Sequence, residues 1–286
     1  MSRSRHRRTS STDAPGRLRL GAFAVPDLVL TALCFVVPVG LLLAYSFGRS
    51  DSLTQEVSIT GTVHAYRTLF SSLYRPVLAR SGALSLFTVG LCLAVGTPAA
   101  LAMSRLPTRW RDRMLVVVLL PSFVSFTVRI FAFQGLLGSG GPIETITGRS
   151  LLYTPTGVLI GMAAAYLPLY VLPAYVALVR LPSSMIDAAA DLGARRWRQT
   201  WNITLPLAAP GILTGAVLVG VLALGEFIVP TVLGGGKVLL IGKVLADRGA
   251  GRDKPIGGAI VTVLLLTSAL FALVVGGLRR WDRSRG

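Results

Sequence analysis

Six long runs of apolar residues dominate this chain of 286 residues. Only 14% of the residues are charged and the mean hydropathy is +0.67, whereas an average soluble domain is about a quarter charged. Each run is long enough to cross a hydrocarbon core of about 30 Å as a helix. The sequence therefore predicts an all-α, polytopic membrane protein whose six transmembrane helices occupy residues 27–47, 78–104, 113–137, 156–179, 210–233 and 255–278.

Positive charge is concentrated in the segments on one side of these predicted helices. The formal net charge is +17, and Lys and Arg are most numerous in residues 1–25, 105–113, 180–198 and 279–285. Such segments face the cytoplasm in membrane proteins, so both termini are expected on the cytoplasmic side of the plasma membrane. This also accounts for the positive charge without a nucleic-acid partner. We expect residues 1–25 to form a disordered basic tail and residues 26–286 to form one domain within the lipid bilayer.

The side chains that usually carry catalysis or hold metals are not grouped in this sequence. Cys34 and Cys92 lie within apolar runs, and His6 and His64 lie in polar segments without a partner pattern. We therefore expect no metal, no cofactor and no disulfide. A phosphate-binding loop needs Ser or Thr after Gly-Lys, but valine follows Lys237, so we expect a transport subunit without an ATPase site of its own.

The longest polar interruption in the second half covers residues 183–206, between the fourth and fifth predicted helices. Ser184 and Asp187 have the spacing of a capping box, and the alanines that follow favour a helix. Gly193 is placed to end that helix in a left-handed conformation. Two tryptophans four residues apart would share one face of a second short helix. This stretch therefore predicts a docking surface between two membrane helices.

The same stretch resembles the EAA loop of the permeases of ATP-binding cassette (ABC) importers. The family pattern is Glu-Ala-Ala, three residues, Gly, nine residues, Ile, one residue and Leu-Pro. Every spacing fits, with Asp in place of Glu, through Asp187, Ala188, Ala189, Gly193, Ile203, Leu205 and Pro206. The segments AYLPLYVLPAYVALVRLP and GEFIVPTVLGGGKVLLIGKVL are similar to the permeases of spermidine/putrescine importers, so the resemblance covers about residues 81–278.

This resemblance implies a type I ABC importer permease fold and a set of partners. It implies cytoplasmic ATP-binding subunits that bind ATP and receive the 183–206 loop, a second permease subunit that is a paralogue in a heterodimer, and an extracytoplasmic solute-binding protein. Closure of the ATP-binding subunits would move the loop and switch the membrane domain between inward-open and outward-open forms. The expected solute is a polyamine such as spermidine or putrescine, with another amine, an amino-acid derivative or a phosphonate as alternatives.

Beyond the first few residues of the predicted helices, two charged residues lie within them, Arg129 and Glu226, and both lie toward the outer boundary. Such charges are functional candidates by default. One hypothesis places them at the outer mouth, where the Glu226 carboxylate and the adjacent Phe227 ring would attract a cationic solute, with Thr231 and Lys237 near the gate. The other hypothesis makes them interfacial, or paired with each other for structure.

Two classes of protein compete with the importer permease. A transporter driven by an ion gradient would need acidic residues near the midplane and usually internal repeats, but only Glu226 is available and no repeat is evident. An intramembrane enzyme would need a nucleophile with a base beside it, and the predicted helices contain no His. Both classes are less favoured than the permease.

Overall fold

The structure is a computed structural model that describes residues 16–50, 57–59, 61–249 and 253–283. Most of the described chain is helical, and two three-residue strands are also present. The helices are α1 Gly16–Ser46, α2 His64–Leu69, α3 Arg75–Ser104, α4 Thr108–Leu119, α5 Phe126–Leu137, α6 Pro142–Thr147, α7 Pro155–Val179, α8 Ser183–Asp191, α9 Arg196–Gln199, α10 Leu205–Leu224, α11 Ile228–Val232, α12 Ile241–Val244 and α13 Lys254–Arg283.

Five continuous helical segments are long and apolar enough to cross a membrane. A sixth candidate is a bent pair, in which Thr108–Phe123 and Phe126–Thr147 meet at 93°. The predicted all-α, multi-pass architecture is therefore confirmed, with five candidate spans, or six if the bent pair crosses as one broken span. The five continuous segments are Val29–Ser46, Arg75–Ser104, Pro155–Val179, Arg196–Leu224 and Lys254–Leu273.

The third predicted helix, 113–137, is not continuous. Its first half ends in a 3-10 turn over Leu120–Phe123, after which Val124 and Ser125 adopt ψ angles of 139° and 133° before α5 begins. Pro121 within that turn has no N–H to donate, which favours the end of a regular helix. The bend escapes a hydropathy pattern because the residues on both sides of it are apolar.

Two other predicted boundaries also differ from the structure. The tail was expected to reach residue 25, but 16–25 are helical and only 1–15 lie outside the described residues at this end. Arg is among the better helix formers, so the basic segment extends α1. The fifth predicted helix, 210–233, is displaced toward the N-terminus, because the continuous helix runs over Arg196–Leu224.

The bundle is centred on α7, which packs mainly against α3 and α10. Small residues permit the close approach of these helices. A Cβ atom added to Gly215 of α10 would lie 2.8 Å from the carbonyl oxygen of Tyr170 on α7. This crossing therefore requires glycine, and it fixes the position of α10 against the centre of the bundle.

The periphery is formed by α1 and α13, which pack against each other. Most apolar side chains described on α1 are exposed, as expected for a surface in contact with lipid. In the loop between α1 and α3, β1 Gly48–Ser50 and β2 Val57–Ile59 form an antiparallel hairpin, and α2 follows.

The segment that follows α11 folds back onto the bundle. Its apolar residues 238–246 form α12 and part of a wide π-type turn over Leu245–Gly249. Val238 and Ile241 are buried. The N–H of Ile241 donates to Oγ of Ser81 on α3 at 2.8 Å, which fastens the loop to the outer end of that helix.

Candidate functional site

Helix α8 projects from the end of the bundle where α7 finishes. It packs mainly against α9, and Asp187 and Ala188 are exposed. Met185 and Leu192 are 48% and 89% exposed, although both are apolar. The lobe formed by α8 and its C-terminal cap, residues 183–193, therefore presents an apolar surface with a carboxylate, which is the composition of a docking surface.

Adjacent alanines of the lobe have different environments. Ala188 is exposed, whereas Ala189 is only 8% exposed and faces the rest of the chain. Close packing against another protein is therefore available at Ala188. A large side chain at Ala189 would instead disturb the internal packing of the lobe.

The lobe ends in a Schellman motif at Gly193, whose φ is +79°. The Ala194 N–H donates to the Ala189 carbonyl at 3.0 Å, and the Gly193 N–H donates to the Ala190 carbonyl at 2.8 Å. This pair of bonds defines the motif. Its left-handed position suits glycine, which has no Cβ to be strained at positive φ. The left-handed end predicted from the sequence is thus present.

The start of the lobe differs from the prediction. The expected capping box of Ser184 and Asp187 is wrong, because α8 begins at Ser183 with Pro182 as its N-cap and no side chain caps the first turn. Pro182 has a φ of −63° and a ψ of 127°. The extended ψ of this residue turns the chain out of α7 and into α8.

The lobe is joined closely to a long membrane helix. Only two residues separate Gly193 from α9, and Nε2 of Gln199 donates back to the Ala194 carbonyl at 2.8 Å. From α9 the helix continues through a π-type turn at Thr200–Thr204 into α10, so that Arg196–Leu224 is one segment. At 1.5 Å per residue this segment is about 43 Å long. A displacement of the lobe is therefore transmitted directly to a spanning helix.

The last three residues of the sequence motif lie in this helix rather than on the lobe. Ile203 and Leu205 are half-buried, and Pro206 is exposed at the start of α10. The helix continues past Pro206 after the wide turn at Thr200–Thr204, and such turns relieve the loss of a proline N–H. The motif is thus divided between a docking lobe and the beginning of a membrane helix.

A hydrogen bond ties this region to the preceding loop at the same end of the bundle. Nη2 of Arg105, at the end of α3, donates to Oγ1 of Thr200 at 2.6 Å. The Thr200 hydroxyl donates in turn to the Arg196 carbonyl at 2.9 Å. The chain from α3 to the lobe is therefore connected by side-chain contacts as well as by packing.

At the opposite end, Glu226 occupies the break between α10 and α11 and is only 7% exposed. Its Oε1 accepts from the N–H groups of Ile228 and Val229 at 2.7 and 3.1 Å. The Tyr166 hydroxyl, from α7, donates to Oε2. The carboxylate thus satisfies the first turn of α11 and joins the broken helix to the centre of the bundle.

Arg129 does not form an ion pair with Glu226. Among the described residues the only ion pair joins Lys243 to Asp247. The Arg129 guanidinium lies 5.7 Å from the centroid of the Phe126 ring, and that ring lies 6.1 Å from the ring of Tyr166. Of the alternatives left open for the two charges, direct pairing is not observed, and a chain of contacts through the Phe126 and Tyr166 rings connects them.

The remaining predicted pathway residues are on the surface beside this break. Phe227 is 46% exposed, and Thr231 donates from Oγ1 to the Phe227 carbonyl at 2.6 Å. Lys237 is exposed, and its Nζ lies 6.0 Å from the centroid of the Tyr153 ring. Glu226 and Phe227 are neighbours in the chain, but the Glu226 side chain is buried and the Phe227 ring is exposed.

Three aromatic residues that organise this end were not found by sequence reasoning. Tyr166 and Phe126 lie within apolar runs, where an aromatic residue is usually part of the core. Tyr153 lies in a loop with a φ of 62°. The only usable signal was that Tyr166 and Glu226 lie at similar depths in neighbouring predicted helices. Within the ranges that the structure covers, no three potential metal ligands converge.

Comparison with known proteins assigns the chain to a family. Residues 92–285 match the family described as "Binding-protein-dependent transport system inner membrane component". The chain belongs to this family. It is 33% identical to the spermidine/putrescine transport system permease protein PotB of Haemophilus influenzae over 84% of this chain and 86% of that protein. It is 32% identical to PotB of Escherichia coli K12 over 87% and 92% of the two chains.

Solved structures agree with this assignment at the level of the fold. A chain of a bacterial alginate ABC transporter, solved with its periplasmic protein, gives a TM-score of 0.70 at 18% identity, covering 92% of this chain and 94% of that one. A chain of the inward-facing MetNI methionine ABC transporter gives 0.59 at 14% identity, with coverages of 74% and 99%. This protein is therefore a multi-pass permease of an ABC importer, as the resemblance of the 183–206 loop implied.

Proposed function

We propose that this permease admits a small organic cation of the polyamine class to the cytoplasm. The observation that carries the proposal is the similarity to PotB proteins of two organisms over at least 84% of this chain. It extends through α7, α10 and the break at Glu226, so the part of the protein that would meet solute is included. Spermidine and putrescine are the solutes that the names of those relatives specify.

The lobe at residues 183–193 is the proposed contact with ATP-binding subunits. Its exposed Asp187 and Ala188, and its connection of two residues to a 29-residue helix, support this role. ATP would be bound and hydrolysed by those subunits, so this chain would need no cofactor. Closure of the subunits would push the lobe and tilt the Arg196–Leu224 helix, which biases the membrane domain between its two forms.

The proposed assembly contains a second permease subunit, a paralogue, and an extracytoplasmic solute-binding protein. In this proposal the cytoplasmic side holds the lobe, the loop between α3 and α4, and both termini, because Lys and Arg are more numerous on that side. The hairpin, α6 and the segment from α11 to α12 then face the binding protein. The solute would be delivered to this outer end.

Phe227 and Thr231 are the proposed solute contacts at the outer end. The exposed ring offers a π face to an ammonium group, and the buried Glu226 carboxylate behind it supplies a negative field in a site of low dielectric. Lys237 and Arg129 oppose a cation, and both lie against aromatic rings. We assign these two residues to the gate, where their charges would limit leakage of cations.

The test is uptake by the complete importer in proteoliposomes. The permease is purified with its partner permease and ATP-binding subunits, and its solute-binding protein is added outside with radiolabelled putrescine or spermidine. We expect uptake to require ATP inside the proteoliposomes and the binding protein outside. Excess unlabelled spermidine should abolish the uptake of label. Competition by an amino acid or an organic phosphonate instead would contradict the polyamine assignment while leaving the importer class intact.

A further inference from the structure

A pocket with three arginines lies at the end of the bundle that carries the lobe. Arg105 at the end of α3, Arg111 of α4 and Arg196 of α9 line a cavity of about 360 Å³. None of the described residues that line it is Asp or Glu. Like charges gathered without an acid repel each other, and they favour an anion between them.

One of these arginines has an unused donor inside the protein. Nε of Arg111 is buried and has no hydrogen-bond partner, although Arg105 donates to Thr200. A buried N–H without a partner costs free energy, and a charged group costs more. A negative charge in the pocket would lower the cost of keeping this guanidinium inside the protein. The size of the pocket, roughly twelve times the share of volume of a water molecule in the liquid, leaves room for a phosphate group with a glycerol substituent.

An apolar groove of about 850 Å³ lies beside the arginine pocket. It runs between the second half of α3 and the helix that begins with α9, and Leu101 lines both cavities. The rings of Trp197 and Trp201 lie 5.2 Å apart at its end, and they are 72% and 52% exposed. Exposed tryptophans mark the boundary between membrane and water. The groove therefore opens at the depth of the acyl chains, just inside that boundary.

We propose that this pair of cavities binds one anionic glycerophospholipid. The phosphate lies among Arg105, Arg111 and Arg196, whose positive charges it balances, and an acyl chain occupies the groove between α3 and α10. Basic pockets between membrane helices on the cytoplasmic side suit anionic head groups, and the proposed topology places this end in the cytoplasmic leaflet. The lipid would join α3, α4 and the helix attached to the lobe.

The test measures lipid binding to the purified, delipidated full-length chain by native mass spectrometry. Phosphatidylglycerol and phosphatidylcholine are titrated in parallel, with inorganic phosphate and deacylated glycerophosphoglycerol as separate arms. We expect one phosphatidylglycerol to bind at least about tenfold more tightly than phosphatidylcholine, because both carry the same phosphodiester but phosphatidylcholine adds a trimethylammonium group that the three arginines repel. Equal binding of the two lipids would overturn the proposal. Occupation by inorganic phosphate as strong as by the lipid would show a free-anion site instead.

Variants locate the site and separate its two parts. Arg111→Gln should weaken binding of phosphatidylglycerol about tenfold, and Arg196→Gln should do the same, whereas Arg113→Gln on the same helix removes an equal charge outside the pocket. Equal losses for all three would overturn the site. In the groove, Ala94→Phe should weaken the binding of phosphatidylglycerol but not the binding of the deacylated head group. Ala102→Phe is the matched control outside the groove.

Two further readouts keep the test decisive. Circular dichroism and size-exclusion chromatography confirm that each variant is folded, and the two arginine variants give independent measurements if one fails. The ATP-binding subunits are then added to the wild-type protein with its lipid. If they release the lipid, and if the arginine variants bind them weakly, the pocket is a protein contact and the lipid proposal is wrong. Retention of the lipid supports it.

Discussion

At the scale of single residues, the break between α10 and α11 shows how a membrane protein keeps a carboxylate out of water. Glu226 is 7% exposed, and its two oxygens accept from two N–H groups and a tyrosine hydroxyl. Charged hydrogen bonds of this kind offset the cost of removing the carboxylate from water. Glu226 is thus both a helix cap and the source of negative charge nearest to the exposed ring of Phe227.

Glu226→Gln removes the charge but keeps an oxygen that accepts from Ile228 and Val229. We expect the importer to assemble and its uptake of a polyamine to fall about thirtyfold, because a unit charge about 8 Å away contributes about 2 kcal/mol at an effective dielectric of 20. Uptake in proteoliposomes at saturating binding protein measures this. Tyr166→Phe is the control, since it removes one hydrogen bond and leaves the carboxylate, and uptake should fall less than threefold. Equal uptake by the Gln variant and the wild type would remove Glu226 from the pathway.

Phe227 can be tested separately through its π face. Phe227→Leu keeps an apolar side chain of similar size, and we expect uptake of spermidine to fall about threefold to tenfold, the range of an exposed to a partly desolvated cation–π contact. Phe227→Trp should retain or raise uptake, because Trp is the better π partner. If Leu and Trp behave alike, the ring does not contact the solute.

At the scale of the secondary-structure element, the lobe and the Arg196–Leu224 helix form one mechanical unit. The Schellman motif at Gly193 sets the angle at which the lobe leaves the helix, and Gln199 fastens the connection to Ala194. A Cβ at Gly193 would meet no atom within 4 Å. A substitution there therefore perturbs the backbone conformation alone, which makes it a clean probe of the angle.

Gly193→Ala should destabilise the cap by about 1–2 kcal/mol, because a Cβ is unfavourable at positive φ. We expect ATP hydrolysis by the assembled importer to continue while solute uptake per ATP falls. Gly193→Asn is the control, since asparagine tolerates the left-handed region, and its coupling ratio should stay near that of the wild type. Gly193→Trp adds bulk to the same strain and should uncouple most strongly. Normal coupling in an assembled Trp variant would show that the cap does not transmit force.

Ala188→Trp tests the docking face itself. Ala188 is exposed, so the large side chain should leave membrane insertion unchanged but reduce co-purification of the ATP-binding subunits by about tenfold or more, as expected for a steric clash in an interface centre. Pull-down with detergent-solubilised permease measures this. Leu207→Trp, at an exposed position of α10, is the matched control and should co-purify normally.

The sequence could predict elements where one strong local cause acts. The spans follow from apolar length, and the cap follows from a glycine after an alanine-rich helix. The bend after Phe123 does not show in the hydropathy pattern, because the residues on either side are equally apolar, and Pro121 is the local signal that could have indicated it. The end of the fifth helix was also missed, since it depends on the Glu226 carboxylate finding N–H groups of α11 and the Tyr166 hydroxyl, which no sequence period encodes.

At the scale of the whole molecule, the two ends have different tasks. One end carries the lobe with its exposed apolar side chains and the arginine pocket. The other end carries the hairpin, short helices and the buried Glu226 carboxylate. The family and the fold were accessible from the 183–206 motif and the six apolar runs together. The relative arrangement of α3, α7 and α10 was not, because it depends on close contacts such as that of Gly215 with Tyr170.

The orientation of the molecule can be tested with single cysteines. In a Cys34→Ala background, Met185→Cys lies on the lobe and Ile146→Cys lies on α6 at the other end, and both positions are exposed. We expect a membrane-impermeant maleimide to label Ile146→Cys in intact cells or spheroplasts and Met185→Cys only after permeabilisation. Cys92 is buried and gives the background. The reverse labelling pattern would place the lobe outside the cell.

The bend between α4 and α5 has a consequence for what surrounds the molecule. Near Val124 and Ser125 the backbone leaves the helical hydrogen-bonding pattern, and the neighbouring Phe123 is 86% exposed. Hydrocarbon chains cannot satisfy free N–H and C=O groups, so irregular backbone at membrane depth lies against protein or water. The elbow therefore marks a lipid-free sector of the circumference. We expect a neighbouring subunit or the aqueous route itself to occupy that sector in an assembled importer.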